Sequence, residues 1–492
     1  MDAVCSSPSP RRAILQQRWF VAGLVLFFVV CSVKYCEKIL DSERDNRSAF
    51  LRWREQILEM DEGVNIWEKF NYPNPPIMAL LLKPLVPLPP LVGSMAWYYL
   101  KVVMALAAVW LAFRLVETPG RPWPVWAKAL AVLLSLRPIE GDLSHGNVNL
   151  FILLLCVAAL VCLSKRRDYA AGGLLALAIA CKVTPALFVP YLVWKRSWKA
   201  LAGCAVGVVL FFWIVPGVLL GFGPNQQYLV SWYKGMIVPY AVDGVVTTEH
   251  QNQSLPGLCH RLLTDSPSFS SFEGERYVPE ESHNLAAWNP ALVRGLVRLC
   301  MLAFVGCVVW VCRSPLTPTP LPGGERGRGE GTRQRWQLAA EYGLVFLGML
   351  LFSERTWKHH CVMMLVPFCV LAYDLAAGQP GPRMKKFVFA TLVLVALLMT
   401  TTSTGWSHSA ARAGKLAQVY GAYVWANVAL TLALVVVLRR QNIAARQTRP
   451  AAEPCHVVKL RASVWSDGSA AACQRGEAQD VATARLQLEV RP

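Results

Sequence analysis

The residues best suited to chemistry in this chain are one lysine, a cluster of early acids and a late pair of histidines. Lys182 sits in the middle of the apolar run Tyr169–Trp194, far from the basic clusters that flank it at 165–167 and at Lys195, Arg196 and Lys199. An ammonium group at that depth is costly and normally meets an anion or water; the alternative is a lysine that snorkels from a helix end. Asp41, Glu43 and Asp45 follow the first apolar run, and Glu354, Arg355, Trp357, Lys358, His359 and His360 stand between two late ones. Asp142, His145, Asn147 and Asn149 form a third group, and Asn252, Gln253, Ser254 and Arg261 a fourth. Brought to one place, such groups would bind an anionic lipid head, activate a hydroxyl with a carboxylate, and stabilise a leaving phosphate with a cation or an imidazole.

What must position them is a set of membrane helices. The chain has 492 residues, 54% of them hydrophobic and only 16% charged, with mean hydropathy +0.37. Many apolar runs approach the ~20 residues that cross a bilayer. The sequence therefore reads as an all-α polytopic membrane protein. The net charge of +18 sits mostly in short loops, span ends and the tail, as contact with anionic lipid headgroups requires. No nucleic-acid motif accompanies it. The 15 cysteines are scattered and none form CxxC, so they read as small hydrophobes; Cys36 and Cys259 would share the outer side, where a bridge stays open.

Basic clusters mark the cytoplasmic side. Those at 165–167, 195–199, 323–335, 383–386 and 439–440 all fall on one side if the apolar runs are threaded in order. Both flanks of Tyr169–Trp194 are then cytoplasmic, so that run must enter and return. Each arm has about 12 residues, or ~18 Å of helix, short of a ~30 Å hydrocarbon core. The turn falls at Lys182-Val183-Thr184-Pro185. The bundle has about 10–12 transmembrane or re-entrant helices. Residues 1–17 form a cytoplasmic N-terminus, followed by an uncleaved anchor, and a domain at 18–440 carries outer loops at 34–94 and 221–290. Residues 313–335, rich in Pro, Gly and Arg, read as a disordered cytoplasmic loop, and 441–492 as a basic, poorly ordered tail. Within the first outer loop, Arg47–Met60 places Phe50, Leu51, Trp53, Ile57 and Leu58 mainly on one helical face, which suits a helix on the membrane surface.

The order Tyr72-Pro73-x-Pro75-Pro76, Gly146-Asn147-x-Asn149, Lys182-x-Thr184-Pro185, Asn252-Gln253-Ser254 with Arg261, and Trp357-x-His359-His360 resembles glycosyltransferase family 87. That family comprises GT-C membrane enzymes of the polyprenol-phosphate-mannose-dependent mannosyltransferase type. The resemblance covers roughly residues 15–440. It implies a GT-C bundle in the plasma (inner) membrane with its site on the non-cytoplasmic face. It implies a hexose, mannose first, carried on a polyprenyl phosphate and transferred with inversion to a hydroxyl of a glycolipid or glycan. No cofactor and no metal are implied.

On this resemblance Asp45 is the base that takes the acceptor's proton. The family usually has a Gly-x-x-x-Tyr segment after its Asp; here Gly63 lies further on and Trp67 stands near the tyrosine's place, so Asp41 and Glu43 remain rivals. Lys182, Arg261 and a histidine of His359-His360 would neutralise the departing phosphate. Asn147, Asn149, Asn252 and Gln253 would position sugar hydroxyls, Trp357 would stack on a sugar face, and Tyr72 would fix the first-loop helix beside the lipid. Plainer readings stand beside these. Asp45 is also a solvated surface charge, Asn147 and Asn149 are also helix caps, and the two histidines are also zinc ligands. A transporter or lipid flippase would equally carry a broken helix and a buried lysine, but only one such interruption is found and no internal repeat.

Overall fold

The computed structural model describes residues 10–41, 48–118, 120–273, 276–313, 330–378, 380–403 and 408–447. Asp45 and Glu43 lie outside them. The chain divides into two units, Met1–Asn442 and Ile443–Pro492; of the second, residues 443–447 are described and are helical. The segment expected to be disordered at 313–335 is helical in part, since a helix begins at Glu330, and the first helix begins at Pro10.

Among the described residues seven helices are long and apolar enough to cross a membrane: Leu15–Leu40, Pro90–Val116, Trp198–Leu220, Pro290–Val311, Lys358–Ala377, Pro382–Thr401 and Ala422–Ile443. Shorter apolar helices, among them Asn149–Ser164 and Asp168–Cys181, complete the first unit. Lys358–Ala377 is largely buried and Pro290–Val311 almost wholly exposed. The former is the axis of the bundle, and the latter presents its side chains to lipid, where apolar exposure costs nothing.

The broken run is a helix Asp168–Cys181, an extended Lys182, a 3-10 turn Thr184–Leu187 and a helix Phe188–Trp194. Pro185, in that turn, lacks the amide hydrogen a continuing helix needs. The run returns to the side it came from. Tyr169 lies against Gly203 and Ala176 against Gly207, so helix Asp168–Cys181 runs parallel to helix Trp198–Val209. Glycines allow that approach: a Cβ on Gly172 would stand 2.0 Å from the Ala200 carbonyl oxygen. Small residues of this kind let membrane helices pack backbone to backbone.

Helix Asn149–Ser164 has 16 residues, about 24 Å, and leads from Asn149 to the basic cluster at 165–167. The clusters at 383–386 and 439–440 also lie at the far ends of helices whose other ends, at Thr402 and Tyr423, meet Lys358 and Gln253. These basic clusters thus lie at one end of the bundle, and the chemistry-bearing residues at the other.

Three features differ from the expectation. Helix Ala49–Asp61 turns Phe50, Trp53 and Ile57 onto the protein rather than onto lipid, while Leu58 is exposed. Trp53 and Trp67 pack edge-on to Tyr72, and Phe50 lies against Trp97. A helix His408–Val419 stands between the last two spans. The second outer loop carries an antiparallel hairpin, Phe269–Glu273 with Arg276–Glu281, the one sheet among the described residues. Cys36 and Cys259 are both free thiols.

Candidate active site

The site end begins at a helix stop. Val125–His145 ends where Gly146 adopts φ 65°, a conformation that suits glycine. A side chain there would also strike Ser48 Oγ, and the Gly146 carbonyl accepts from Trp97 Nε1 at 2.9 Å. The turn presents Asn147, whose Oδ1 accepts from the Val148 amide at 2.7 Å. Its Nδ2 is left facing His359 Nε2 at 3.1 Å. An amide nitrogen only donates, so the lone pair of His359 lies on Nε2. The His145, Trp357 and His360 rings each stand nearly perpendicular to the His359 ring, with centroids 4.6, 5.5 and 4.6 Å away.

His359 lines a cavity of about 340 Å³. Arg137, Glu140 and His145 enter it from the end of the 125–145 helix, Trp357 and Lys358 from the 353–364 segment, His250 from the second outer loop, and Lys415 from helix His408–Val419. Arg137 Nη1 and Glu140 Oε2 pair at 2.5 Å. Lys358 Nζ donates to the Thr402 carbonyl at 3.1 Å. Burial, with Lys415 adding, holds His250 down at about 4, so it is neutral at pH 7. The cavity is rich in cations and has an indole on its wall, a surface suited to an anionic or sugar-bearing ligand. Among the described residues no group of three or more His, Cys, Asp or Glu side chains could hold a metal ion.

His360, the next residue, lines a second hollow of about 20 Å³ with Lys182, Asn149, Thr184 and Thr356, room for about one water. Lys182 Nζ donates to Asn149 Oδ1 at 2.5 Å. Asn149 Nδ2 donates to Asp142 Oδ1 at 2.8 Å, and Asp142 Oδ2 pairs with Lys101 Nζ at 3.0 Å. The partner expected for the buried lysine is thus an amide backed by a carboxylate.

The fourth group does something else. Arg261 is fully buried, and its guanidinium donates to five main-chain carbonyls: Val419, Thr248, Glu249, Asn252 and Gln418, at 2.8–3.2 Å. Burial lowers it to about 10, so it stays charged. Asn252 bonds Thr247 and the Glu354 carbonyl while its Oδ1 accepts from the Ser254 and Thr356 amides. Gln253 bonds His250, Gln418 and Tyr423. These three side chains clasp the outer loop to the 354–356 and 418–423 segments. They line neither hollow, and neither does Tyr72, which is sealed between Trp53 and Trp67. The structure therefore brings Trp357 and His359 to the cavity, with Asn147 bonded to His359, and Asn149, Lys182 and His360 to the second hollow. Asp41 ends the first helix, half-buried. Sequence reading passed over Arg137, Glu140, His250, Lys415 and Lys101. Lys101 alone carried a signal, a charge inside an apolar span.

Residues 72–321 match the profile of glycosyltransferase family 87. The chain is 25% identical over 338 residues to a polyprenol-phosphate-mannose-dependent alpha-(1-2)-phosphatidylinositol mannoside mannosyltransferase of Mycolicibacterium smegmatis, covering 66% of this chain and 64% of that one. It is 26% identical over 275 residues to an alpha-(1->3)-arabinofuranosyltransferase of Corynebacterium glutamicum, covering 51% and 59%. The matches thus span less than two thirds of either relative's length. Among solved structures, apo ArnT from Cupriavidus metallidurans is 13% identical with a TM-score of 0.34, covering 85% of this chain and 77% of that one, a likeness too loose to carry an argument.

Proposed function

The chain belongs to glycosyltransferase family 87, and from that premise we propose that it moves a hexose, mannose first, from a polyprenyl monophosphate to a hydroxyl of a glycolipid or glycan. The observation that carries this reading is the pair of adjoining hollows at the end of the bundle away from the basic clusters. The smaller holds an ammonium group, and the larger is open and lined by Trp357, His359 and several cations. Basic residues favour the cytoplasmic side, so the site faces outward from the plasma (inner) membrane.

In the proposed reaction the acceptor oxygen attacks the anomeric carbon as the bond from that carbon to the phosphate oxygen breaks. The acceptor's proton passes to the base, and the electron pair leaves on polyprenyl phosphate. A single displacement inverts the anomeric centre. Lys182, with the His360 ring beside it, stabilises charge growing on the leaving phosphate. Trp357 and Asn147 hold the sugar. Asp45 is the proposed base, with Asp41 and Glu43 as rivals. In support, Lys38 Nζ donates to the Ser144 carbonyl at 2.6 Å and Ser48 packs on Gly146, so the described residues on both sides of Asp45 touch the turn that carries the cavity wall.

The test is turnover by the purified full chain, given radiolabelled polyprenyl-phosphate mannose, glucose or arabinose and a panel of membrane glycolipids. The expected result is released polyprenyl phosphate and a labelled acceptor, both lost in Asp45→Asn while donor binding stays. No release from any donor overturns the reading; undiminished turnover in Asp45→Asn reassigns the base.

A further inference from the structure

Lys101 and Asp142 are the feature the proposed reaction leaves unused. Both side chains are fully buried. Lys101 lies within the helix Pro90–Val116 and Asp142 near the end of Val125–His145. Lys101 Nζ meets Asp142 Oδ2 and also donates to the Asp142 main-chain carbonyl. The carboxylate is used on every side: Oδ1 accepts from Asn149 Nδ2, and Oδ2 also accepts from the Leu150 amide at 3.3 Å. A pair whose only task was to join two helices would be replaced by apolar side chains at little or no cost. The placement of this one suggests a different task.

Its position relative to Lys182 is specific. Asn149 stands between Asp142 and Lys182, with its nitrogen on the carboxylate and its oxygen on the ammonium group, the one orientation that satisfies both neighbours. Two ammonium groups and one carboxylate thus share one chain of hydrogen bonds, and one positive charge is left over. Because Lys101 contacts the carboxylate directly and Lys182 only through an amide, the surplus falls on Lys182, in the hollow it shares with His360. Remove Lys101, and Asp142 has Lys182 as its remaining counter-ion in that chain; the hollow then becomes neutral.

We infer that Lys101 is a positioning residue, which by neutralising Asp142 reserves the charge of Lys182 for the phosphate of the donor. The inference rests on the reading of Lys182 given above. It separates two lysines that look alike in sequence: one touches the ligand, and the other keeps the first one available.

The experiment measures equilibrium binding of a radiolabelled long-chain polyprenyl monophosphate to the full chain in detergent micelles. Wild type, Lys101→Met, Lys101→Arg, Asp142→Asn and Lys101→Met/Asp142→Asn are compared, with a thermal melt to score folding. Lys101→Met should bind at least tenfold more weakly. Lys101→Arg, Asp142→Asn and the double variant should stay within about threefold of wild type, because each leaves Lys182 cationic and uncommitted. A purely structural pair would lower the melting temperature of Lys101→Met while the protein that remains folded binds within about threefold of wild type, and that result overturns the inference while the functional reading stands. Absence of binding by folded wild type overturns both. Should Lys101→Met fail to fold, Asp142→Asn decides alone: retained binding supports the inference and a tenfold loss overturns it.

Discussion

Replacing Arg261 by Met separates two jobs that one guanidinium could do. The side chain is fully buried, and it donates hydrogen bonds to the carbonyls of 248, 249, 252, 418 and 419. Two of those acceptors keep another donor in the variant: Glu249 has the Asn252 amide, and Gln418 has Gln253 Nε2. At most three carbonyls are then stranded, each costing about 1 kcal/mol or more where water cannot reach it. The loss should be about 3 kcal/mol, on the order of 5 °C in apparent melting temperature for a chain of this size. Arg261→Lys should recover part of it, since an ammonium group satisfies fewer of five acceptors spread over a fork. The assay is thermal unfolding of the purified protein in detergent, paired with the donor KM of whatever remains folded. The clasp predicts a clear drop in melting temperature with a donor KM within about threefold of wild type. An unchanged melting temperature with a tenfold rise in donor KM would refute the argument and return Arg261 to the phosphate.

Two further outcomes follow from the same geometry. Burial raises Glu354 from near 4.5 to about 7, and its Oε2 has no hydrogen-bond partner among the described residues. The folded state therefore holds an extra proton between those pH values, and stability falls as pH rises through that window, by about 2 kcal/mol after allowance for solvent screening. Glu354→Gln should flatten that slope and exceed wild type above pH 7; parallel melting curves for the two proteins would count against it. In the parallel helix pair, Gly172→Ala should cost about 1–3 kcal/mol by overpacking, because its Cβ would lie 2.0 Å from the Ala200 oxygen. Gly173→Ala, whose Cβ meets nothing within 4 Å, should melt as wild type does, and equal melting of both variants would disprove the close packing.

Much of the bundle is legible in the residues because lipid imposes a simple rule. Apolar length gives the long helices, and clustered Lys and Arg mark the end of the bundle away from the cavity. The break at Lys182–Pro185 follows from an apolar run with the same charge at both ends and a proline in the middle. The site is only half legible, for a physical reason. A polar side chain in a loop reads the same whether it meets a ligand or a carbonyl, and which it meets depends on chain segments far away. Arg261 takes carbonyls from residue 419, 158 positions along. Lys101 finds Asp142 41 residues on, so a charge within an apolar span acquired meaning only once the two helices lay side by side. Asn149 was legible as a cap or a ligand, but not as the spacer that it forms between two opposite charges. The face of helix Ala49–Asp61 was readable, but not that protein rather than lipid would cover it.

The clasp has a consequence for how the protein is made. The wall of the cavity formed by His250 is held through Arg261 and Gln253 by main chain at 418–423, and Lys415 from the same region closes another side. A ribosome delivers the chain from its N-terminus, so the loop that carries His250 is already made while its fastening is still untranslated. Nascent chains halted after Lys358–Ala377 would have threaded most of their spans and still lack an assembled pocket. Whatever the pocket does would therefore become possible only late in synthesis, after residue 423 has emerged.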